Sequence, residues 1–90
     1  VVTPPQPLPV YDCRVIVSGP DGEGRLTGRV TTLPGISASA RTERELLTQL
    51  VGQFKQALLR YRAEGRPVPW NLHPEPPREG ERQRWIPVHL

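Results

Sequence analysis

The sequence predicts an α+β fold of order β-β-β-α-β, a small antiparallel sheet with one long helix packed on one face. Three observations carry that reading. Between Gly24 and Glu45 the chain runs G-R-L-T-G-R-V-T-T-L-P-G-I-S-A-S-A-R-T-E-R-E, which spells a strand, a turn, a second strand and a capped helix start in succession. Residues 42–64 carry one apolar stripe at helical spacing. Residues 11–18 and 85–90 alternate or bunch their apolar side chains as strands do.

The first strand follows from Tyr11, Cys13, Val15 and Val17 alternating with Asp12, Arg14, Ile16 and Ser18, and it stops at the turn-forming Gly19-Pro20-Asp21-Gly22. In the second, Leu26, Gly28 and Val30 alternate with Arg25, Thr27, Arg29 and Thr31. Leu33-Pro34-Gly35 then turns the chain, because proline presets φ and glycine accepts the positive φ that a type II turn requires. Ile36, Ala38 and Ala40 resume the alternation against Ser37 and Ser39, completing a hairpin.

The helix is announced by Thr42 and Glu45 at capping-box spacing, where each side chain can reach the other's backbone N–H. Leu46, Leu47, Leu50, Val51, Phe54, Ala57, Leu58 and Tyr61 then recur at three- and four-residue steps on one stripe. Arg60 and Arg62 suit the negative end of the helix dipole, and Gly65 with Pro67 supplies the stop. Beyond it, residues 68–84 are rich in proline and charge and read as a connector back to the sheet, with Trp70, Leu72 and Trp85 expected to tack it down. Trp85-Ile86-Pro87-Val88-His89-Leu90 reads as a last strand, which Pro87 confines to a sheet edge or a bulge. Residues 1–9 form a proline-rich lead outside a single domain at 10–90. Pro4 and Pro7 there satisfy P-x-x-P, although a terminal tract of this kind reads first as a spacer.

Composition excludes several classes. Arginine supplies all but one of the 12 basic residues, yet nine acidic residues leave a net charge of only +3, a mildly basic surface and not a nucleic-acid arm. DNA is therefore not an expected partner. No apolar run is long enough to cross a bilayer, the first residues lack the basic and apolar regions of a signal peptide, and a cytoplasmic location is expected. A single cysteine, Cys13, falls on the buried face of the first strand and reads as a small hydrophobe. His73 and His89 lack partners at metal-ligand or dyad spacing. Asp21 and Glu23 read as turn residues and Asp12 as a strand start, so no pair of carboxylates converges as two-metal hydrolysis demands. G-P-D-G-E-G lacks the lysine and the helix of a phosphate loop. No catalytic group, cofactor or metal is expected.

The pattern G-x-x-x-x-x-V-x-x-L-P-G, then T-x-x-E, then an amphipathic helix ending in Y-x-x-x-G-x-P-[IV]-P, resembles the HicB-type antitoxin domain. Gly24, Val30, Leu33-Pro34-Gly35, Thr42, Glu45, Tyr61, Gly65, Pro67, Val68 and Pro69 carry it, over about residues 10–70. The chain departs from the family at Thr31-Thr32, Ile36 and Ala40. The resemblance implies a pared-down RNase H-like fold without catalytic carboxylates, and binding of a small basic toxin protein that cleaves messenger RNA. It further implies a solitary copy, since members commonly carry a C-terminal DNA-binding domain and this chain ends at Leu90.

Strand alternation places Arg14, Ile16, Arg29, Trp85 and His89 on the sheet face away from the helix, and these are the expected partner-binding residues. Tryptophan and arginine are enriched at protein interfaces. The expectation is a non-catalytic protein-interaction module that binds a small partner protein or itself, as a homo-oligomer. The alternative is a small RNA-binding module in which Arg14, Arg29 and Trp85 contact phosphates and bases. The connector or a second copy is also expected as a possible cover for this face.

Overall fold

A computed structural model describes residues 10–89; the proline-rich lead with its P-x-x-P, and Leu90, lie outside the described residues. The elements are β1 (Val10–Ser18), β2 (Leu26–Val30), β3 (Ser37–Ala40), α1 (Glu43–Ala63) and β4 (Arg82–His89). They form one antiparallel sheet of order β3-β2-β1-β4, so β1 is central and the last strand takes the edge beside it.

The alternation read from the sequence sorts the two faces. Cys13, Val15, Val17, Leu26, Val30, Ala40 and Val88 meet Leu46, Leu50, Phe54 and Leu58 of α1 in a single core. Those four helix residues are buried at i, i+4 spacing, each contributing about 2 kcal/mol by its removal from water. Gly28 lets the helix approach β2 closely: a Cβ there would lie 2.9 Å from Leu50 Cδ1 and 3.1 Å from Leu46 Cδ2.

Both helix ends form where their signals stand. The Thr42 hydroxyl accepts from the Glu45 N–H at 3.2 Å, while among the described residues the reciprocal bond from the Glu45 side chain is not made. At the other end Gly65 adopts φ +65°, Gly65 N–H donates to Arg62 C=O and Arg66 N–H to Tyr61 C=O, which is a Schellman closure. The β2–β3 link departs slightly from expectation. Ile36 stays outside β3, although its carbonyl still accepts from Val30 N–H at 3.0 Å and its side chain is buried.

Two expectations about the C-terminal third are corrected. β4 begins at Arg82 and not at Trp85, because β1 offers an unpaired backbone along its whole length and Arg82, Gln83 and Arg84 pair with Val17, Ile16 and Val15. The polar start of this strand carries no periodic signal. Of the three residues expected to hold the connector, only Trp70 does so, stacked on Tyr11 at 5.9 Å and tilted against Phe54 at 6.0 Å. Leu72 is 81% exposed and Trp85 is 63% exposed. Asn71 performs the holding instead, its N–H donating to Thr32 C=O and its side-chain amide to Thr31 C=O. No helix among the described residues is long and apolar enough to cross a membrane.

Candidate functional site

The five residues expected to form one contact patch divide into two groups. Arg29 and Ile16 are directly paired across β2 and β1, and Gln83 of β4 stands on the other side of Ile16. Arg29 Nη1 donates to Glu81 Oε2 at 3.0 Å, and its Nη2 lies 3.9 Å from Glu75 Oε2. Glu81 immediately precedes β4, so this ion pair joins β2 to the start of β4 across the intervening β1. Ile16 lies beneath the bridge at 0% exposure. The connector thus straps the centre of the outer face, and Ile16 is corrected from a contact residue to a covered one. Arg29 is likewise occupied within the chain.

The strap has its own electrostatic signature. Hydrogen bonds from the Arg29 guanidinium first, and from the Arg78 N–H second, hold the Glu81 carboxyl below its ordinary value of 4.5. Glu81 Oε1 accepts from Arg78 N–H at 2.8 Å, and Glu81 N–H donates back to Arg78 C=O, so residues 78–81 form a closed turn that aims the carboxylate inward. Its side chain is 14% exposed.

Arg14, Trp85 and His89 remain open at the β4 side. Arg14 and Trp85 are cross-strand partners, and the guanidinium sits 4.4 Å above the centre of the indole ring. Asp12, two residues earlier on the same face, fixes that guanidinium by accepting from Nε at 2.8 Å. The result is an Asp12–Arg14–Trp85 stack, with Pro87 opposite Asp12 and His89 opposite Val10. Sequence reasoning missed Asp12 as the orienting group; its signal was the i, i+2 spacing to Arg14 on one strand.

On the helix side of the same strand, an open groove of about 600 Å³ is lined by Leu47, Val51 and Ile86 with Glu43, Arg44 and Thr48. Arg84 Nε closes one end against Glu43 Oε1 at 2.9 Å; that oxygen is enclosed without an aligned hydrogen bond, and the arginine charge compensates it. A second, more polar cleft of about 410 Å³ lies between the strap and the β2–β3 link, lined by Arg29, Asn71 and Glu75 among others. Among the described residues, no group of three or more His, Cys, Asp or Glu gathers as a metal site.

Among the described residues, the backbone of β4 has no partner along its outer edge. Thr31 N–H donates to Arg14 C=O and the Thr32 hydroxyl to Asp12 C=O, so even-numbered residues of β1 turn their backbone groups toward β2. Odd-numbered ones therefore face β4, where Arg82, Arg84, Ile86 and Val88 answer them. Gln83, Trp85, Pro87 and His89 turn their backbone groups outward, and Pro87 places its missing N–H on the free edge, where it costs the sheet no bond. Comparison with family models, with curated proteins and with solved structures returned no match for this chain.

Proposed function

We propose that this chain is a non-catalytic protein-interaction module that engages a protein partner along its β4 side. The observation that carries the reading is Trp85, 63% exposed on an unpaired edge strand and held in place by Arg14 and Asp12. A fixed tryptophan loses little side-chain entropy on binding and brings a large apolar area, which is what the central residues of protein interfaces supply. The half-buried Ile86 on the opposite face of the same strand extends the apolar surface around the edge.

Charge narrows the partner. Arg14 is paired with Asp12 and Arg84 with Glu43, which leaves little free charge at this edge, so the contacting surface of the partner is mainly apolar. The resemblance to the HicB-type domain supports a toxin-like partner, and such a basic protein would meet β4 with a face that is not itself basic. RNA binding is less well supported. Arg29 is neutralised by Glu81 and Glu75, and one face of the Trp85 ring is covered by Arg14, leaving less charge and less stacking surface than the sequence promises.

The test is recovery of a partner protein from lysate of the natural host with tagged full-length chain. Trp85→Ala, folded by circular dichroism, is expected to lower recovery at least about tenfold, the loss of an interface residue worth more than about 1.4 kcal/mol. Arg29→Ala should leave recovery unchanged. Equal recovery by the wild type and Trp85→Ala would sink the proposal.

A further inference from the structure

We infer that the β4 edge is a homodimer interface in which two copies pair antiparallel about a two-fold axis at Ile86, joining their sheets into one. The inference rests on the interaction-module reading and specifies a second copy of this chain as the occupant of the edge.

The two edges of the sheet are unequal. β3 is four residues long and carries Ser37 and Ser39, whereas β4 is eight residues long, with Trp85 exposed on one face and the Leu47–Val51–Ile86 groove on the other. Long edges with apolar flanks are the ones that proteins pair or cover. A two-fold interface must also be self-complementary, which tests each register of β4 against itself.

Centring the axis on Gln83 places Arg84 directly opposite the partner's Arg82, a like-charge pair that destabilises a sheet. Centring it on Pro87 sets two prolines face to face at a hydrogen-bonding position, where neither donates. A Trp85 centre pairs as many residues but makes fewer backbone bonds, since Gln83 would then face the partner's Pro87, which cannot donate, and His89 would face the partner's Glu81, outside β4.

An Ile86 centre meets none of these objections. Ile86 faces the partner's Ile86 at a narrow, non-hydrogen-bonded position, and the two apolar grooves become continuous across the axis. Trp85 falls opposite the partner's Pro87, so the indole packs on a proline ring and the backbone N–H of Trp85 bonds the proline carbonyl. Gln83 pairs with the partner's His89 through both backbone bonds, and Arg84 faces the partner's Val88. Only the absent proline N–H is lost on each side. Each Arg84 keeps its own Glu43, so the interface buries no unpaired cation.

The register can be read directly by crosslinking. Opposed Cα atoms at a non-hydrogen-bonded antiparallel position lie about 4.5 Å apart, within disulfide range. Ile86→Cys is expected to form a covalent dimer under mild oxidation, and Gln83→Cys, far from its own copy in this register, to remain monomeric on denaturing gels. Cys13 is buried and does not compete. In sedimentation the wild type should run as a dimer and Ile86→Lys as a folded monomer. A wild type that stays monomeric at submillimolar concentration overturns the inference, and so does crosslinking from position 83 in place of 86. In either case partner recovery that still depends on Trp85 would leave the interaction-module reading standing, whereas its loss of dependence would remove that reading as well.

Discussion

At the scale of single residues, Cys13 and Gly28 make the core's demands explicit. Burial first, and the neighbouring Asp12 charge second, push the Cys13 thiol up to about 12, so it remains protonated in the folded chain. A thiolate-directed alkylating reagent is expected to label Cys13 only after denaturation; labelling of the native protein at the rate of a free thiol would contradict the placement. Gly28→Val forces a side chain against Leu46 and Leu50 and should destabilise the fold by about 1–3 kcal/mol, read from the midpoint of denaturant unfolding. An unchanged midpoint would mean that the helix shifts freely, against the packing described. Both residues were legible in the sequence, because period-2 alternation alone puts them beneath the helix. Ile16 was legible only in part. Alternation places it on the outer face, but its cover depends on Arg29 and Glu81, 52 residues apart, and no local pattern reports such a pair.

At the scale of elements, the connector has the greatest consequence, and the sequence described it least. Its prolines and charges announce an irregular segment, and nothing in them reveals which charge finds which partner. In the fold it is a strap over the outer face, anchored by Trp70 and Asn71 at one end and by Glu81 at the other. Because the folded chain lowers the Glu81 carboxyl below 4.5, its stabilising contribution is complete above that pH and is lost as pH falls through the lowered value. Hydrogen exchange across residues 71–81 is therefore expected to accelerate in acid, after correction for intrinsic rates, before exchange in α1 does. Glu81→Gln should bring much of that acceleration to neutral pH and flatten the acid response. A strap equally protected in Glu81→Gln would show that the Arg29 bridge does not hold it. The helix and the β2–β3 hairpin, by contrast, were readable almost to the residue, since capping, glycine placement and apolar spacing are local signals. β4 starts three residues before its apolar signal because its polar first half is recruited by pairing with β1.

At the scale of the whole molecule, a chain of 90 residues covers both faces of its sheet, one with α1 and the centre of the other with the strap. Domains of this size bury only about 60% of the surface their unfolded chains expose, so an added interface has much to contribute to stability. Among the described residues, what remains uncovered is concentrated on β4: a fixed tryptophan, a free backbone edge and an apolar groove, all within one strand and the adjoining helix. The alternation in the sequence put Trp85 and His89 of this strand, and Arg14 of the neighbouring β1, on the face away from the helix, where the sheet register has them. It could not separate them from Arg29 and Ile16, which the strap withdraws. The measurement that tests the central claim most directly is a native mass spectrum of the tagged chain recovered from its host lysate, with and without ribonuclease. The account predicts a discrete protein complex, with a second chain or a second copy, whose mass and abundance are the same in both samples. A monomer alone, or a complex that disappears with ribonuclease, would contradict it.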